Sequence, residues 1–170
     1  NCPVYATGFA KSLIQNRLKE FGKFDKIDII LIDPKKKLTL NNFDIQFIST
    51  THSIPEPYSI IINTHYGKLL HTADWKIDEK PLLGNSFDTQ SFKDLSNEVL
   101  LALIGDSTNA DTPGYSKSES EVREELVRVF SRYNQRIVTT CFSSNIARIE
   151  SIAFAAQKNN RKVALVGRSM

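Results

Sequence analysis

The sequence predicts an α/β protein in which a mostly antiparallel or mixed sheet is followed by a parallel strand–helix alternation, the two patterns meeting near residue 96. Three observations predict it. Short strand-like runs joined by turns fill the first half. A near-continuous apolar run, Val99-Leu-Leu-Ala-Leu-Ile104, opens the second in the manner of a strand buried on both faces. After it, helical stripes alternate with apolar runs, which calls for a parallel sheet with right-handed crossovers.

The elements follow in order. Phe9, Leu13, Ile14, Leu18 and Phe21 recur at gaps of three and four, so a helix covers 8–21. Strands are expected at 27–32, 38–40, 43–48, 58–63 and 68–72, with Phe43, Ile45 and Phe47 alternating against Asp44 and Gln46. Tyr66-Gly67 turns the last two strands into a hairpin. Ser118-Glu-Ser-Glu121 matches a capping box before a stripe of Val122, Leu126, Val129, Phe130 and Tyr133. Strands at 136–142 and 162–166 are expected to flank a helix that Ser143-Ser-Asn145 opens, with Ile146, Ile149, Ile152, Ala153 and Ala156 on one side.

Composition narrows the class. The 170 residues are 41% apolar and 24% charged, ordinary globular values that exclude wholesale disorder and a coiled coil. Lys and Arg number 22 against 19 Asp and Glu, which permits a basic groove without requiring one. No run nears the roughly 18 apolar residues of a membrane helix. Two cysteines cannot build a disulfide scaffold and suit a reducing, cytoplasmic setting. Cys141, in an apolar run, reads as a core hydrophobe before a ligand or nucleophile, and Pro34-Lys-Lys-Lys37 as a solvated turn before a nucleic-acid patch. No signal peptide is visible, and the way the chain starts and stops reads as a fragment.

Candidate chemistry gathers at strand ends. His65 lies beside a turn and His71 along a strand, where surface or packing roles are simplest. His52 differs: it follows Phe47-Ile-Ser-Thr-Thr51 in a loop stiffened by Pro55 and Pro57. One hairpin later comes Thr72-Ala-Asp-Trp-Lys-Ile-Asp78, placing Asp74 at another strand end. Imidazole and carboxylate both ligate Zn²⁺ or Mn²⁺. Spacing alone makes half a site at most, and a turn or capping role for Asp74 is the simpler reading. Asp106 and Ser143-Ser-Asn145 mark two further strand ends, where open parallel sheets bind ligands. The helix start at Asn145 suits either a phosphate cradle or plain capping.

Five strings carry a resemblance. Thr51-His-Ser-Ile-Pro55, Thr72-Ala-Asp-Trp-Lys-Ile-Asp78, Gly105-Asp-Ser-Thr-Asn-Ala110, Cys141-Phe-Ser-Ser-Asn-Ile-Ala-Arg-Ile149 and Val166-Gly-Arg-Ser-Met170 together resemble the ribonuclease J family. That family joins a metallo-β-lactamase fold to an inserted β-CASP nuclease domain. The resemblance implies a central fragment. Residues 1–96 would be the C-terminal part of the first metallo-β-lactamase segment, belonging to an αββα sandwich. Residues 97–170 would be the first βαβαβ part of the β-CASP parallel-sheet domain.

It also implies a cytoplasmic enzyme of RNA processing and decay, endonuclease and 5′-to-3′ exonuclease, with two zinc ions or manganese. In this reading His52 ligates one ion, Asp74 bridges both, and Asp106 works beside them in catalysis. Ser143, Ser144 and Asn145 contact RNA. Two cations a few ångströms apart can activate water and stabilise both the attacking and leaving oxygens of a phosphodiester. Homodimers or homotetramers of the full-length protein are implied, and no membrane partner. The family's His-x-His-x-Asp-His string is absent, so the site is incomplete and this stretch alone is expected to be inactive. Two alternatives stand beside the leading reading. One is another β-CASP nuclease acting on DNA or mRNA 3′ ends, the other a non-catalytic RNA-binding or assembly module.

Overall fold

A computed structural model describes residues 2–167, the side chain of Asp25 excepted. The end of the Val166–Met170 string therefore lies outside the described residues. The chain divides into two compact units that interleave in sequence. The first comprises 1–49, 56–74 and 88–106, the second 50–55, 75–87 and 107–170.

Among the described residues, the first unit holds seven strands, two α-helices and one turn of 3-10 helix at Phe24–Lys26. Strand β1 (Val4–Ala6) pairs in parallel with β2 (Ile29–Leu31), and α1 (Gly8–Glu20) runs between them. A five-stranded sheet follows in the order β3 (Leu38–Leu40), β4 (Phe43–Ser49), β5 (Tyr58–Thr64), β6 (Gly67–His71) and β7 (Leu100–Ile104). Its first four strands are antiparallel neighbours, and β7 adds in parallel to β6. The predicted hairpin is there: Thr64 Oγ1 accepts the N–H groups of Tyr66 and Gly67, and Gly67 takes a φ of +145°.

The core of this unit is Ile48, Ile61, Leu70 and Leu95, with Phe92 and Leu100 packed against it. Leu95 and Phe92 come from α2 (Thr89–Leu95), whose seven residues carry too short a stripe to read from sequence. The Asp88 carboxylate caps α2 by accepting from the N–H and hydroxyl of Ser91 at 3.0 and 2.6 Å. Those bonds hold its carboxyl below the usual carboxylate range. Ile48 points to the opposite face from Phe43, Ile45 and Phe47, because side chains alternate along a strand. The helix-covered core is thus on the face that the alternation of β4 assigned to Asp44 and Gln46.

The second unit is built on α3 (Glu119–Ser131) and α4 (Ile146–Lys158). Phe130, Ala155 and Ala156 form its buried centre, joined by Leu126, Val127, Val129, Ile137 and Ile152. Small alanines on α4 admit the larger side chains of α3. The α3 stripe packs through Leu126, Val129 and Phe130, whereas α4 turns Ala147, Ser151, Ala155 and Ala156 inward and leaves Ala153 of the expected stripe exposed. Ser118 caps α3 by accepting from Ser120 N–H at 3.3 Å. The Asp78 carboxylate, rather than Glu121, completes the cap by taking Glu119 N–H at 3.0 Å.

Two expectations are corrected. The βαβαβ alternation is not formed: 136–142 and 162–166 are not strands, and β7 joins the sheet of the first half. A strand needs a hydrogen-bonding neighbour, and within this unit these segments have none. Val138, Phe142 and Val166 accordingly stand at least 83% exposed. What is present is mixed α/β with parallel and mixed sheets. No helix among the described residues is long and apolar enough to cross a membrane.

Candidate active site

The sequence-predicted residues fall in both units: Asp74 and Asp106 in the first, His52, Ser143, Ser144 and Asn145 in the second. In the first unit, Thr72 is the hub. Its N–H donates to Ile104 O at 2.9 Å and its carbonyl accepts from the buried Ser59 hydroxyl at 2.8 Å. Its hydroxyl accepts the Asp106 N–H at 3.0 Å and donates to Ala73 O at 2.8 Å. Thr72 therefore ties the strand end that carries Asp106 to the one that carries Asp74.

Between Thr72 and Asp74 the chain turns sharply. Ala73 adopts a left-handed φ of +54°, costing on the order of 1 kcal/mol for a residue with a Cβ. His71 Nδ1 accepts Ala73 N–H at 3.0 Å and helps hold the turn, a role the sequence did not disclose. Asp74 follows with its side chain exposed. A strained turn that presents an exposed carboxylate fits a functional position better than a packing one.

In the second unit, His52, Lys76, Glu119, Ser144, Asn145 and Arg148 line a cavity of about 340 Å³, with Phe142 at its wall. The imidazole of His52 is half-buried, and its Nδ1 lies 3.1 Å from Ser53 Oγ. An oxygen at one ring nitrogen leaves the other for a cation. Glu119 is 6% exposed and grips the Arg148 guanidinium with both oxygens, at 2.8 and 3.2 Å. The carboxylate raises the affinity of Arg148 for its proton, against the opposing effect of burial.

The start of α4 is not the open anion cradle that its sequence allowed. Ala147 N–H donates to Ser53 O at 3.1 Å, Arg148 N–H to Asn145 Oδ1 at 2.9 Å, and Ile146 N–H to Ser144 O at 3.1 Å. Asn145 is thus the helix cap, and what α4 offers the cavity is side chains. Ser144 and Asn145 line it, while Ser143 is half-buried and does not.

Asp78, the last residue of the Thr72–Asp78 string, does structural work that the string does not disclose. It is 3% exposed, and accepts from Ser118 Oγ at 2.6 Å and from the N–H groups of Glu119 and Lys80 at 3.0 Å each. Lys76 Nζ lies 3.4 Å away. Burial pushes its carboxyl up, but these donors and the Lys76 charge outweigh burial and hold it below the usual carboxylate range. The local pattern misleads here: Lys76-Ile77-Asp78 reads as Ile77 inward, yet Ile77 is exposed and Asp78 is buried among donors.

Sequence comparison bears on all these residues at once. A family model for the β-CASP domain of ribonuclease J matches residues 134–170. Ribonuclease J 1 of Streptococcus pyogenes is 39% identical over 170 residues, all of this chain and 30% of that protein. The chain is similar to proteins named ribonuclease J along its whole length. Ribonuclease J of Synechocystis is 38% identical across 98% of the chain, and ribonuclease J2 of Bacillus subtilis 34% across 99%. The chain spans 26% and 30% of those two ribonucleases. A crystal structure of a protein of unknown function from Enterococcus faecalis has the same fold over 92% of the chain and 43% of its own, at a TM-score of 0.66 and 14% identity.

The zinc site expected from ribonuclease J meets a mixed test. One imidazole with a free ring nitrogen and one exposed carboxylate are the right donors. Among the described residues, however, no three His, Cys, Asp or Glu side chains gather to hold an ion. His52 and Asp74 are each of a donor type that zinc accepts, and they lie one in each unit.

Proposed function

We propose that the full-length protein is a cytoplasmic zinc- or manganese-dependent ribonuclease that cuts RNA internally and from the 5′ end, and that this stretch alone is inactive. The observation that carries the reading is identity of 30–39% to proteins named ribonuclease J along the whole chain, with His52 and Asp74 both at strand ends. A bound pair of cations supplies Lewis acidity toward water and the phosphodiester. His52 would offer a neutral nitrogen and Asp74 a carboxylate to hold such ions, and Asp106 would orient groups near them. Ser144 and Asn145 at the cavity, with Ser143 beside them, receive RNA. Full-length chains associate as homodimers or homotetramers.

Metal analysis of the full-length protein tests this first. His52→Ala is expected to lower the content from two ions per chain, and a variant that still holds two would reject the ligand role. A non-catalytic RNA-binding module is the second reading, favoured by the missing third donor in this stretch. It requires a full-length protein with no bound ion and no hydrolysis.

Replacing both Ser143 and Ser144 by Ala is expected to weaken RNA affinity roughly thirtyfold, each lost hydrogen bond costing about 1 kcal/mol, with metal content unchanged. Equal loss of RNA and metal would make the segment structural instead.

A further inference from the structure

Thr51 sits immediately before His52 and is only 2% exposed. Its hydroxyl is fully committed, donating to Lys76 O at 2.5 Å and accepting Asp78 N–H at 3.0 Å. Its carbonyl accepts Lys76 N–H at 2.9 Å, closing an isolated antiparallel bridge between the two residues. The neighbouring Thr50 shows that such bonding is not automatic in this loop, since its hydroxyl is buried with no partner.

The far side of His52 is held too. Ser53 O accepts the Ala147 N–H of α4, and Ser53 Oγ lies against the imidazole. His52 is thereby bracketed by two anchored residues although it belongs to neither helix nor strand. A ligating group must be placed within about 0.5 Å of its working position. In a segment without regular structure, side-chain bonds of this kind are what can do so.

We infer that Thr51 is a positioning residue for His52: its buried hydroxyl latches the loop to 76–78 and so fixes where the imidazole is presented. This rests on the reading of His52 as a metal ligand. It makes the hydroxyl, and not the bulk of the side chain, the element that matters.

Two substitutions in the full-length protein separate those roles, because Thr51→Val keeps the shape and loses the hydroxyl, while Thr51→Ser does the reverse. With cobalt(II) as the probe ion, Thr51→Val is expected to weaken binding by about tenfold or more and to alter the visible absorption of the bound ion. Thr51→Ser is expected to keep the wild-type spectrum and an affinity within about twofold. A Val variant with wild-type affinity, or a Ser variant as impaired as Val, overturns the inference. If Thr51→Val does not fold, the Ser variant decides, since a packing role predicts that loss of the methyl group alone disturbs the cobalt site. His52→Ala run in parallel distinguishes the two failures. If it leaves cobalt binding unchanged, the ligand reading is lost and the positioning role with it. If it weakens binding and Thr51→Val does not, only the latch is lost.

Discussion

Asp74→Ala in the full-length protein should lower RNA hydrolysis by roughly a thousandfold or more while RNA binding stays within a few-fold. The structure explains why the loss should be chemical and not structural. The Asp74 side chain is exposed, and the turn before it is held by Thr72 and His71. Exposed substitutions away from such anchoring bonds usually change stability by no more than about 0.5 kcal/mol. With the metal stripped from both proteins, the melting temperature should therefore barely move, while turnover of the metal-loaded variant collapses. Single-turnover cleavage of a 5′-labelled RNA, beside a thermal melt of the metal-stripped protein, is the measurement. Unchanged turnover would reject Asp74 as a shared ligand, and a large fall in melting temperature would recast it as a structural residue.

Asp78→Ala should do the opposite, lowering stability by about 3–5 kcal/mol. The carboxylate receives Ser118 Oγ and the N–H groups of Glu119 and Lys80, with Lys76 beside it. Truncation leaves these donors facing a hole at the start of α3, where the macrodipole also favours a negative charge. Urea unfolding of the second unit's helices, followed by circular dichroism, would register the loss. A change below about 1 kcal/mol would show that water replaces the carboxylate at little cost.

Acid supplies a further arm of the same experiment. The folded-state carboxyl of Asp78 titrates below its ordinary value, so its stabilising contribution is complete above about pH 4. That contribution is lost as pH falls through the lower folded value. The stability gap between wild type and Asp78→Asn should therefore be full at pH 7 and shrink below pH 4. A gap unchanged in strong acid would mean the hydrogen bonds, not the charge, carry the effect.

How much of this was legible in the sequence depends on the range of the interactions. Helices α1, α3 and α4 were legible because their apolar residues repeat at helical spacing, and the hairpin because Gly67 marks its turn. Strand β1 and helix α2 were not, since three and seven residues are too few for a period to emerge. The runs 136–142 and 162–166 show the converse: apolar composition prepares a strand, but pairing makes one. Within the candidate site, His52 stood out because prolines stiffen a loop at a strand end. Thr51 and Asp78 did not, since a buried polar group reveals itself only through partners far along the chain.

Strand β7 carries a last consequence. Among the described residues only β6 pairs with it, and Leu101, Leu103 and Ile104 are each more than half exposed. An open rim of N–H and C=O groups flanked by leucines is a template for any extended peptide that meets it. Left uncovered, it would draw like molecules into clumps as concentration rises, and a charged side chain in place of Leu103 would be the simplest way to keep them apart.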